Sequence, residues 1–464
     1  MLVVAYHLWT NGRVSGGVDI FLIISAYLMT GSMVRKGKAF RLVTWLIQRF
    51  RRLVPLAALT IAVTLAVGWF ALPPTRQPAL LDHAQSSLFY IENWTLIDQA
   101  ISYTAVDPGN VSPFQHFWSL SVQGQVFLLW PLVFLTGLFV ATRLKANLRV
   151  VLAVWFGAIT VTSFVYAQWA ISIDRSTAYF NTWARVWEFS LAALLALIPR
   201  LTMRRAVAIP LGWIGLIGVL AAGFVVGRAA FPGPAALVPA LAAALVMVAD
   251  LRGDDPRDAA YWMSRRPVTF IANRAYALYL WHWPVYAYWM AITHSEQIGV
   301  GGSVVVLTLS LLLADLSTRF VERRFHRLDV LSSKRGALSA IAACLIIVIG
   351  LVQGMTRALD VDVARTAAGD NPGAQAVVPG EAAISPSPTP TRGVRGVAPG
   401  DSIIGGDWPN PGAVPCGADL DPKPPVLPGG GCFEIRPDGP PTKVVVLVGD
   451  SHAFQWSSAL APMA

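Results

Sequence analysis

The chain has 464 residues, of which 55% are hydrophobic and only 13% are charged, and its mean hydropathy is +0.54. Soluble domains carry about 25% charged residues, so this composition excludes an ordinary soluble protein and indicates an integral membrane protein. The net charge of +10 does not indicate nucleic-acid binding, because the basic residues lie at the ends of apolar segments and not on one soluble surface.

Eleven apolar segments are candidates to cross the roughly 30 Å of bilayer hydrocarbon as helices. They lie near residues 1–9, 18–34, 53–72, 117–141, 148–171, 178–198, 207–227, 233–250, 268–292, 302–320 and 336–356. The first is only about half a span, and we expect its beginning to be missing. The predicted fold class is an all-α polytopic membrane bundle of about ten or eleven helices.

The positions of the basic residues test this number of spans. If the N-terminus is cytoplasmic, 23 Lys and Arg residues fall in or beside the inner loops. The outer loops then hold four, which are Arg13, Arg76, Arg175 and Arg228. One missed helix would invert every later loop, so this bias supports the assignment. The sequence therefore predicts a cytoplasmic N-terminus and an extracytoplasmic C-terminal region.

The C-terminal part of the sequence changes character after the last span. Residues 357–415 are rich in Pro, Gly, Ala and Ser, as in SPSPTPTRG, and predict an extended extracytoplasmic linker. Residues 416–464 would begin a second domain, with a strand leading into Gly449-Asp450-Ser451-His452. Cys416 and Cys432 could pair there in an oxidising compartment. Three cysteines are too few for a zinc cluster, and we expect no metal.

Two polar positions stand out near the start of the chain. His7 lies inside the first apolar segment, where an ionisable residue is costly and is by default a functional hypothesis. The alternative is a histidine that is hydrogen-bonded between helices. Asp19 follows Gly16-Gly17 at the start of the second span, where it could cap the helix or orient a histidine. Capping is favoured for an isolated aspartate.

Later segments carry further candidates. Arg49 and Arg52 are three residues apart and share one helical face at the predicted inner boundary. They suit ordinary membrane anchoring or binding of a phosphorylated cytoplasmic donor. Arg185 and Glu188, also three apart, predict a buried ion pair. His282 lies between two tryptophans of a later span.

Six segments in this order resemble the acyltransferase-3 family of membrane acyltransferases. They are His7, GGVDIFLIISAYL, RFRRLVP, FWSLSVQGQVFLLWP, AYALYLWHWPV and RFVERRF, and the resemblance covers residues 1–356. The later LVGDSH resembles the first block of SGNH-type domains. Such domains are fused to the membrane unit in many bacterial cell-envelope O-acetyltransferases, so an incomplete α/β SGNH domain is expected over 416–464.

The resemblance implies an enzyme that takes an acyl group, usually acetyl, from cytoplasmic acyl-CoA. The group crosses the bacterial inner membrane to a hydroxyl of an extracytoplasmic polysaccharide, peptidoglycan or glycolipid. The family's membrane histidine maps onto His7, its GG-VD segment includes Asp19, and its boundary arginines map onto Arg49 and Arg52. The SGNH nucleophile maps onto Ser451.

The sequence departs from the family pattern at several positions. The family's arginine eleven positions before the histidine would precede Met1. Gln48 replaces the first arginine of Arg-Arg-x-x-Arg, and Gln123 and Gly124 replace the glutamates of SVEEQFY. Those glutamates therefore have no acid–base role here. The Asp-x-x-His that would activate Ser451 is missing, so we expect an incomplete chain without esterase activity.

Acyl transfer to an alcohol needs a base and donors for the oxyanion. We predict His7 as the membrane base or acyl carrier, with Asp19 orienting it, and Ser451 as an acyl-enzyme nucleophile. Two other classes stay open. A transporter or flippase of an envelope precursor would also use intramembrane His and Arg, although the sequence has no paired broken-helix signal. A membrane anchor for an esterase is the third.

Overall fold

The computed structural model describes residues 2–9, 16–99, 111–199, 203–225, 233–249, 253–295, 297–327, 333–367, 414–415 and 433–434. Nearly all of this part of the chain is helical. The helices are α1 (Leu2–Trp9), α2 (Gly17–Lys36), α3 (Leu42–Ala71), α4 (Gln77–Leu88), α5 (Glu92–Asp98), α6 (Phe117–Arg143), α7 (Leu148–Ile173), α8 (Arg175–Phe180), α9 (Thr182–Leu197), α10 (Arg205–Val225), α11 (Leu237–Ala249), α12 (Ala259–Met263), α13 (Arg266–Ala272), α14 (Ala275–Thr293), α15 (Val300–Ser317), α16 (Arg323–Arg327) and α17 (Lys334–Ala367).

Short elements complete the described residues. The 3₁₀ turns are Gly37–Ala39, Pro74–Arg76 and Pro234–Ala236, and a π-helical turn covers Thr318–Glu322. Strand β1 (Val414–Pro415) pairs antiparallel with β2 (Phe433–Glu434).

Every predicted span contains a helix, and the all-α fold class is confirmed. Within the described residues, seven helical stretches are long and apolar enough to cross a membrane by length and composition. They are Gly17–Ala39, Leu42–Ala71, Phe117–Arg143, Leu148–Ile173, Arg205–Gly223, Val300–Phe325 and Lys334–Asp362. The helices at the other four predicted spans, α1, α9, α11 and α14, are shorter or less apolar. The chain is therefore a multi-pass helical membrane protein.

The limits of some elements differ from the prediction. The span predicted over 178–198 is two helices, because Asn181 ends α8 and caps α9. Its side chain accepts hydrogen bonds from the backbone N–H groups of Trp183 and Ala184, at 2.8 and 3.4 Å. Helix α3 begins at Leu42 and not at residue 53, because its first turns are built from good helix formers such as Leu, Gln and Arg.

Asp174 caps α8 in the loop before it. Its carboxylate accepts hydrogen bonds from the backbone N–H groups of Ser176 and Thr177, and from both hydroxyls. Because these bonds favour the ionised form, hydrogen bonding to Ser176 and Thr177 lowers the pKa of Asp174 to about 2. This N-cap fixes where the chain re-enters the bundle as α8.

Helix α2 begins earlier than the sequence suggested, and this changes the role of Asp19. The residue before the helix is Gly16, with φ at 60°, a left-handed conformation that suits glycine. A Cβ atom at Gly16 would also lie 2.9 Å from the Pro239 side chain. Asp19 is the third residue of α2, and no side-chain bond caps this helix. The prediction that Asp19 caps α2 was therefore wrong.

Large aromatic side chains fill the core where α6, α7 and α9 meet. Trp130 stacks on Phe156 with ring centroids 5.2 Å apart, and Phe189 packs beside it. All three rings are at most 2% exposed. Burying aromatic surface of this size is a dominant part of helix packing. The core therefore holds α9, which carries Arg185 and Glu188, in a fixed position.

The chain divides into two compact units, and the sites below belong to the first. That unit is Met1–Leu72 with Ala79–Gln353 and contains the helical bundle. The second is Pro73–Pro78 with Gly354–Ala464; its described residues include the end of α17 and the β1–β2 pair.

The predicted linker overlaps the last helix. Residues 357–367 continue α17 as helix, so the last span runs into the segment predicted to be extended. Apart from the two short strands, residues 368–464 lie outside the described residues. The same is true of Cys416, Cys432 and Ser451, so their predicted pairing and role stay predictions.

Candidate active site

Three histidines from distant parts of the chain meet in the bundle. His7 lies on α1, His282 on α14, and His116 directly precedes α6. The Nδ1 atom of His7 is 3.1 Å from the Nε2 atom of His282, and the two rings stack with centroids 5.3 Å apart. The ring of His116 lies edge-on to that of His282, at a centroid distance of 5.9 Å. We call these residues the histidine cluster.

Two backbone carbonyls fix the tautomer of neutral His282, and His282 in turn fixes that of neutral His7. His282 Nδ1 lies 2.7 Å from the Tyr279 carbonyl oxygen and 3.2 Å from that of Leu278, so this nitrogen carries the hydrogen. His282 Nε2 is then an acceptor, and His7 must donate its Nδ1–H to it. The lone pair of His7 is left on Nε2. A general-base histidine is typically oriented by a hydrogen bond through one ring nitrogen and accepts the proton at the other.

Exposure separates His7 from the other members of the cluster. His116 and His282 are 4% and 1% exposed, whereas His7 is half-buried. The edge of the Trp283 ring packs on the His7 ring at 4.6 Å, and the Trp283 Nε1–H donates to the Ser112 carbonyl at 2.9 Å. These contacts fix the orientation of the His7 ring, while part of its surface stays exposed.

His116 provides a second basic nitrogen. Its Nε2–H donates to the Leu280 carbonyl at 3.1 Å, so the lone pair is on Nδ1, which is buried and has no hydrogen-bond partner among the described residues. Tyr279 donates its hydroxyl hydrogen to the His116 carbonyl at 2.7 Å. The Ser119 hydroxyl therefore donates to Tyr279 Oη at 2.6 Å.

Asp19 belongs to a different cluster. Arg185 Nη1 donates to Asp19 Oδ1 and to Glu188 Oε1, both at 2.9 Å. The three residues are 2%, 1% and 0% exposed, in the order Asp19, Arg185, Glu188. The predicted buried Arg185–Glu188 ion pair is confirmed. We call the three residues the carboxylate cluster. That Asp19 orients His7 stays a prediction.

Arg49 and Arg52 lie on α3, three residues apart. The guanidinium of Arg49 lies over the Trp45 ring, 5.1 Å from its centroid. Arg52 Nε is 3.8 Å from Glu322 Oε1 in the π-helical turn, while 61% of the Arg52 side chain is exposed. A π-helical turn often marks a functional position in a helix. That Arg49 and Arg52 bind a phosphorylated donor stays a prediction.

The glutamines of the SVQGQ segment are structural. Gln123 donates to the Ser25 hydroxyl at 2.7 Å, and Gln125 donates to the Asn93 side chain at 2.9 Å. A Cβ atom at Gly124 would lie 2.4 Å from the Tyr90 ring, so the ring occupies the space that a longer side chain would need. The Tyr90 ring therefore leaves no room for a side chain at Gly124, where the family pattern has a glutamate.

A further buried pair lies between α4 and α5. His83 Nδ1 is 2.7 Å from Glu92 Oε1, and the two residues are 3% and 0% exposed. Burial raises the pKa of Glu92 to about 7, although the hydrogen bond from His83 opposes this shift. No local sequence pattern indicates this pair.

Sequence reasoning singled out His282 without a role and missed the contribution of His116 and Tyr279. The signal for His282 was its position between Trp281 and Trp283 in an apolar span. Nothing in the sequence near His7 identifies its partner, because His282 is 275 positions away.

Comparison with known proteins agrees with this architecture. The sequence profile of the acyltransferase-3 family, described as an acyltransferase domain, matches residues 1–319. This is more than half of the chain, and the chain therefore belongs to that family. No solved structure matches it.

Three relatives carry related names. The peptidoglycan O-acetyltransferase OatA of Listeria monocytogenes is 28% identical over 342 residues, which are 69% of this chain and 53% of that protein. The O-acetyltransferase OatA of Staphylococcus aureus is 28% identical over 360 residues, 72% and 57% of the two chains. A putative O-acetyltransferase of S. aureus is 24% identical over 346 residues, 70% and 55%. The chain spans about half the length of the curated relatives it matches.

Proposed function

We propose that this protein is an O-acyltransferase of the bacterial inner membrane. It transfers an acyl group, acetyl by analogy with the relatives' names, from cytoplasmic acyl-CoA to a hydroxyl of an extracytoplasmic glycan. The name of the Listeria relative favours peptidoglycan as that glycan. The observation that carries the proposal is the hydrogen bond from His7 Nδ1 to His282 Nε2, because it leaves the basic nitrogen of His7 oriented for acyl chemistry.

The Nε2 lone pair of His7 supports two related steps. As a base, it would take the proton of the acceptor hydroxyl while that oxygen attacks the acyl carbon. As a carrier, it would attack the thioester carbonyl, so that a C–N bond forms, the C–S bond breaks, and coenzyme A leaves as a thiolate. His282 acts as a positioning residue in both, because it fixes the His7 tautomer.

The predicted topology supports a donor on the inner side. The basic residues of the sequence favour a cytoplasmic N-terminus and an extracytoplasmic C-terminal region. Arg49 and Arg52 then lie at the inner boundary, where guanidinium groups would bind the CoA phosphates. Acyl-CoA is in this proposal the donor substrate, and the glycan would enter from the opposite side.

We place the second half of the reaction in the C-terminal region as part of the same proposal. Residues 1–356 form the membrane acyltransferase domain, 357–415 connect it to the outside, and 416–464 belong to an SGNH-like domain. Where the Asp-x-x-His of an SGNH domain is present, Ser451 would accept the acyl group from the bundle as an ester and pass it to the glycan. Without it, His7 would act as the base for direct transfer to an acceptor hydroxyl.

The test is the fate of acetyl-CoA with one His7 variant and one matched control variant. His7→Asn keeps an amide donor near the position of Nδ1, and so the bond to His282, but removes the Nε2 lone pair. We expect purified His7→Asn to bind acetyl-CoA normally and to lose acetyl-CoA turnover by about a hundredfold or more. His294→Asn is the matched control, because His294 is exposed at the end of α14 and its left-handed φ of 48° suits asparagine. Unchanged turnover in a folded His7→Asn protein would exclude His7.

A further inference from the structure

The carboxylate cluster has an unbalanced charge inside the bundle. Asp19 comes from α2, whereas Arg185 and Glu188 come from α9. One guanidinium therefore faces two carboxyl groups, and one Arg185 nitrogen, Nη1, donates to both. If both carboxyl groups were ionised, a net negative charge would be buried among helices, which is strongly unfavourable.

Within the described part of the chain, the other contacts seen around the guanidinium supply no second positive charge. Arg185 Nε–H donates to the Tyr179 carbonyl at 3.0 Å, and the guanidinium lies over the rings of Tyr179 and Trp118, at 4.7 and 5.5 Å. The charged groups that face Glu188 are Asp19 from α2 and Arg185 from its own helix, with the phenol of Tyr179 from α8 against the guanidinium.

One oxygen atom indicates where the missing charge is compensated. Glu188 Oε2 is buried and has no hydrogen-bond partner among the described residues, and the Asp19 and Glu188 carboxyl groups accept from the same Arg185 nitrogen. Two carboxylates cannot hydrogen-bond to each other, but a carboxylic acid and a carboxylate can. Carboxyl pairs that share a buried site characteristically hold one proton between them.

Transfer across the membrane moves a proton as well as an acyl group. In the proposed reaction the acceptor hydroxyl loses its proton outside as the ester C–O bond forms. The thioester C–S bond breaks inside, and the thiolate gains a proton. For each acyl group carried outward, either one proton passes inward through the protein, or one is released outside and another is taken from the cytoplasm. The second course moves a positive charge outward against the membrane potential.

We propose that the carboxylate cluster holds one proton between Asp19 and Glu188 and passes protons inward in exchange for outgoing acyl groups. This inference rests on the proposed function. The first turn of α6 contacts both clusters: the Trp118 ring packs on the Arg185 guanidinium, and Ser119 is hydrogen-bonded to Tyr279. Tyr279 in turn contacts His282, with ring centroids 5.5 Å apart.

The occupancy of the proton site can be measured without any substrate. Infrared spectra of the purified full chain at neutral pH should contain a carboxylic-acid C=O band that Glu188→Gln removes or Asp19→Asn shifts. The matched control is Glu322→Gln, which removes a carboxyl outside the cluster and should leave the band unchanged. If neither cluster variant alters the carboxylic-acid bands, the cluster holds no proton and the inference is overturned.

Proton exchange is tested in vesicles that contain acetyl-CoA, with soluble peptidoglycan fragments and a pH indicator outside. We expect fragments to be acetylated without acidification of the medium, and Glu188→Gln to slow acetylation by about a hundredfold. Release of one proton outside for each acetyl group would overturn the exchange. If no fragment is acetylated, the failure belongs to the proposed function, and the infrared comparison still decides whether the cluster holds a proton.

Discussion

Replacing Arg185 by methionine tests how the centre of the bundle is held together. The substitution keeps the length and apolar stem of the side chain, so it removes the charge and its hydrogen bonds with little change in volume. Asp19 and Glu188 each lose a 2.9 Å bond, and the Tyr179 carbonyl loses its donor.

The size of the effect follows from burial. Removing one partner of a buried ion pair costs about 3–5 kcal/mol, because it leaves an uncompensated charge. Asp19, Arg185 and Glu188 are all buried, and both carboxyl groups depend on Arg185 Nη1. We therefore expect the cost of Arg185→Met to lie in the upper part of that range. Folded proteins are stable by only about 5–15 kcal/mol, so we expect a large loss of correctly folded protein and a clearly lower thermal midpoint in detergent.

The control is Arg205→Met. Arg205 also forms a 2.8 Å ion pair, with Asp254, but the two side chains are 61% and 54% exposed. An exposed pair of this kind contributes about 0–1 kcal/mol, so its thermal midpoint should hardly change. Combining Arg185→Met with Asp19→Asn and Glu188→Gln should restore most of the stability, since no charge is then left without a partner. Equal effects of Arg185→Met and Arg205→Met would refute the reasoning.

Three further variants address separate contacts. Gly124→Ala places a Cβ atom 2.4 Å from the Tyr90 ring, so it should cost about 1–3 kcal/mol of stability. Adding Tyr90→Leu should restore that stability. An unchanged midpoint of thermal unfolding in Gly124→Ala would contradict the close contact. Burial raises the pKa of Glu92 to about 7 from its usual 4.5. As pH rises between those values, the stabilising neutral form of Glu92 is lost, and the free energy of unfolding should fall by about 3 kcal/mol. Glu92→Gln should remove this fall; parallel pH curves of the two proteins would show that Glu92 is ionised in the folded protein. Arg52→Ala should weaken acetyl-CoA binding about tenfold, whereas Arg143→Ala at the end of α6 should not, and calorimetry that finds equal affinities would remove Arg52 from the donor site.

The sequence was sufficient to predict the helices of the bundle, because hydrophobic length is a local property of the sequence. It placed a helix in each predicted span. The i, i+3 spacing of Arg185 and Glu188 predicted their ion pair, since residues three apart share a helical face. Local patterns set these features, and distant contacts alter them little.

The site itself depends on contacts that the sequence does not state. Asp19 was predicted to cap α2, but the left-handed Gly16 starts the helix earlier and leaves Asp19 to pair with Arg185 across two helices. The bond from His7 to His282 joins α1 to α14, which only the packing of the bundle brings together. Asn181, read as part of a continuous span, ends one helix and caps the next.

The passage of an acyl group through the bundle is tested most directly with labelled acetyl-CoA on the cytoplasmic side of oriented vesicles. We expect label to appear in soluble peptidoglycan fragments on the other side with the wild-type chain and with His294→Asn, and not with His7→Asn. Label that stays on coenzyme A with folded wild-type protein, or that crosses equally well with His7→Asn, would contradict transfer through His7.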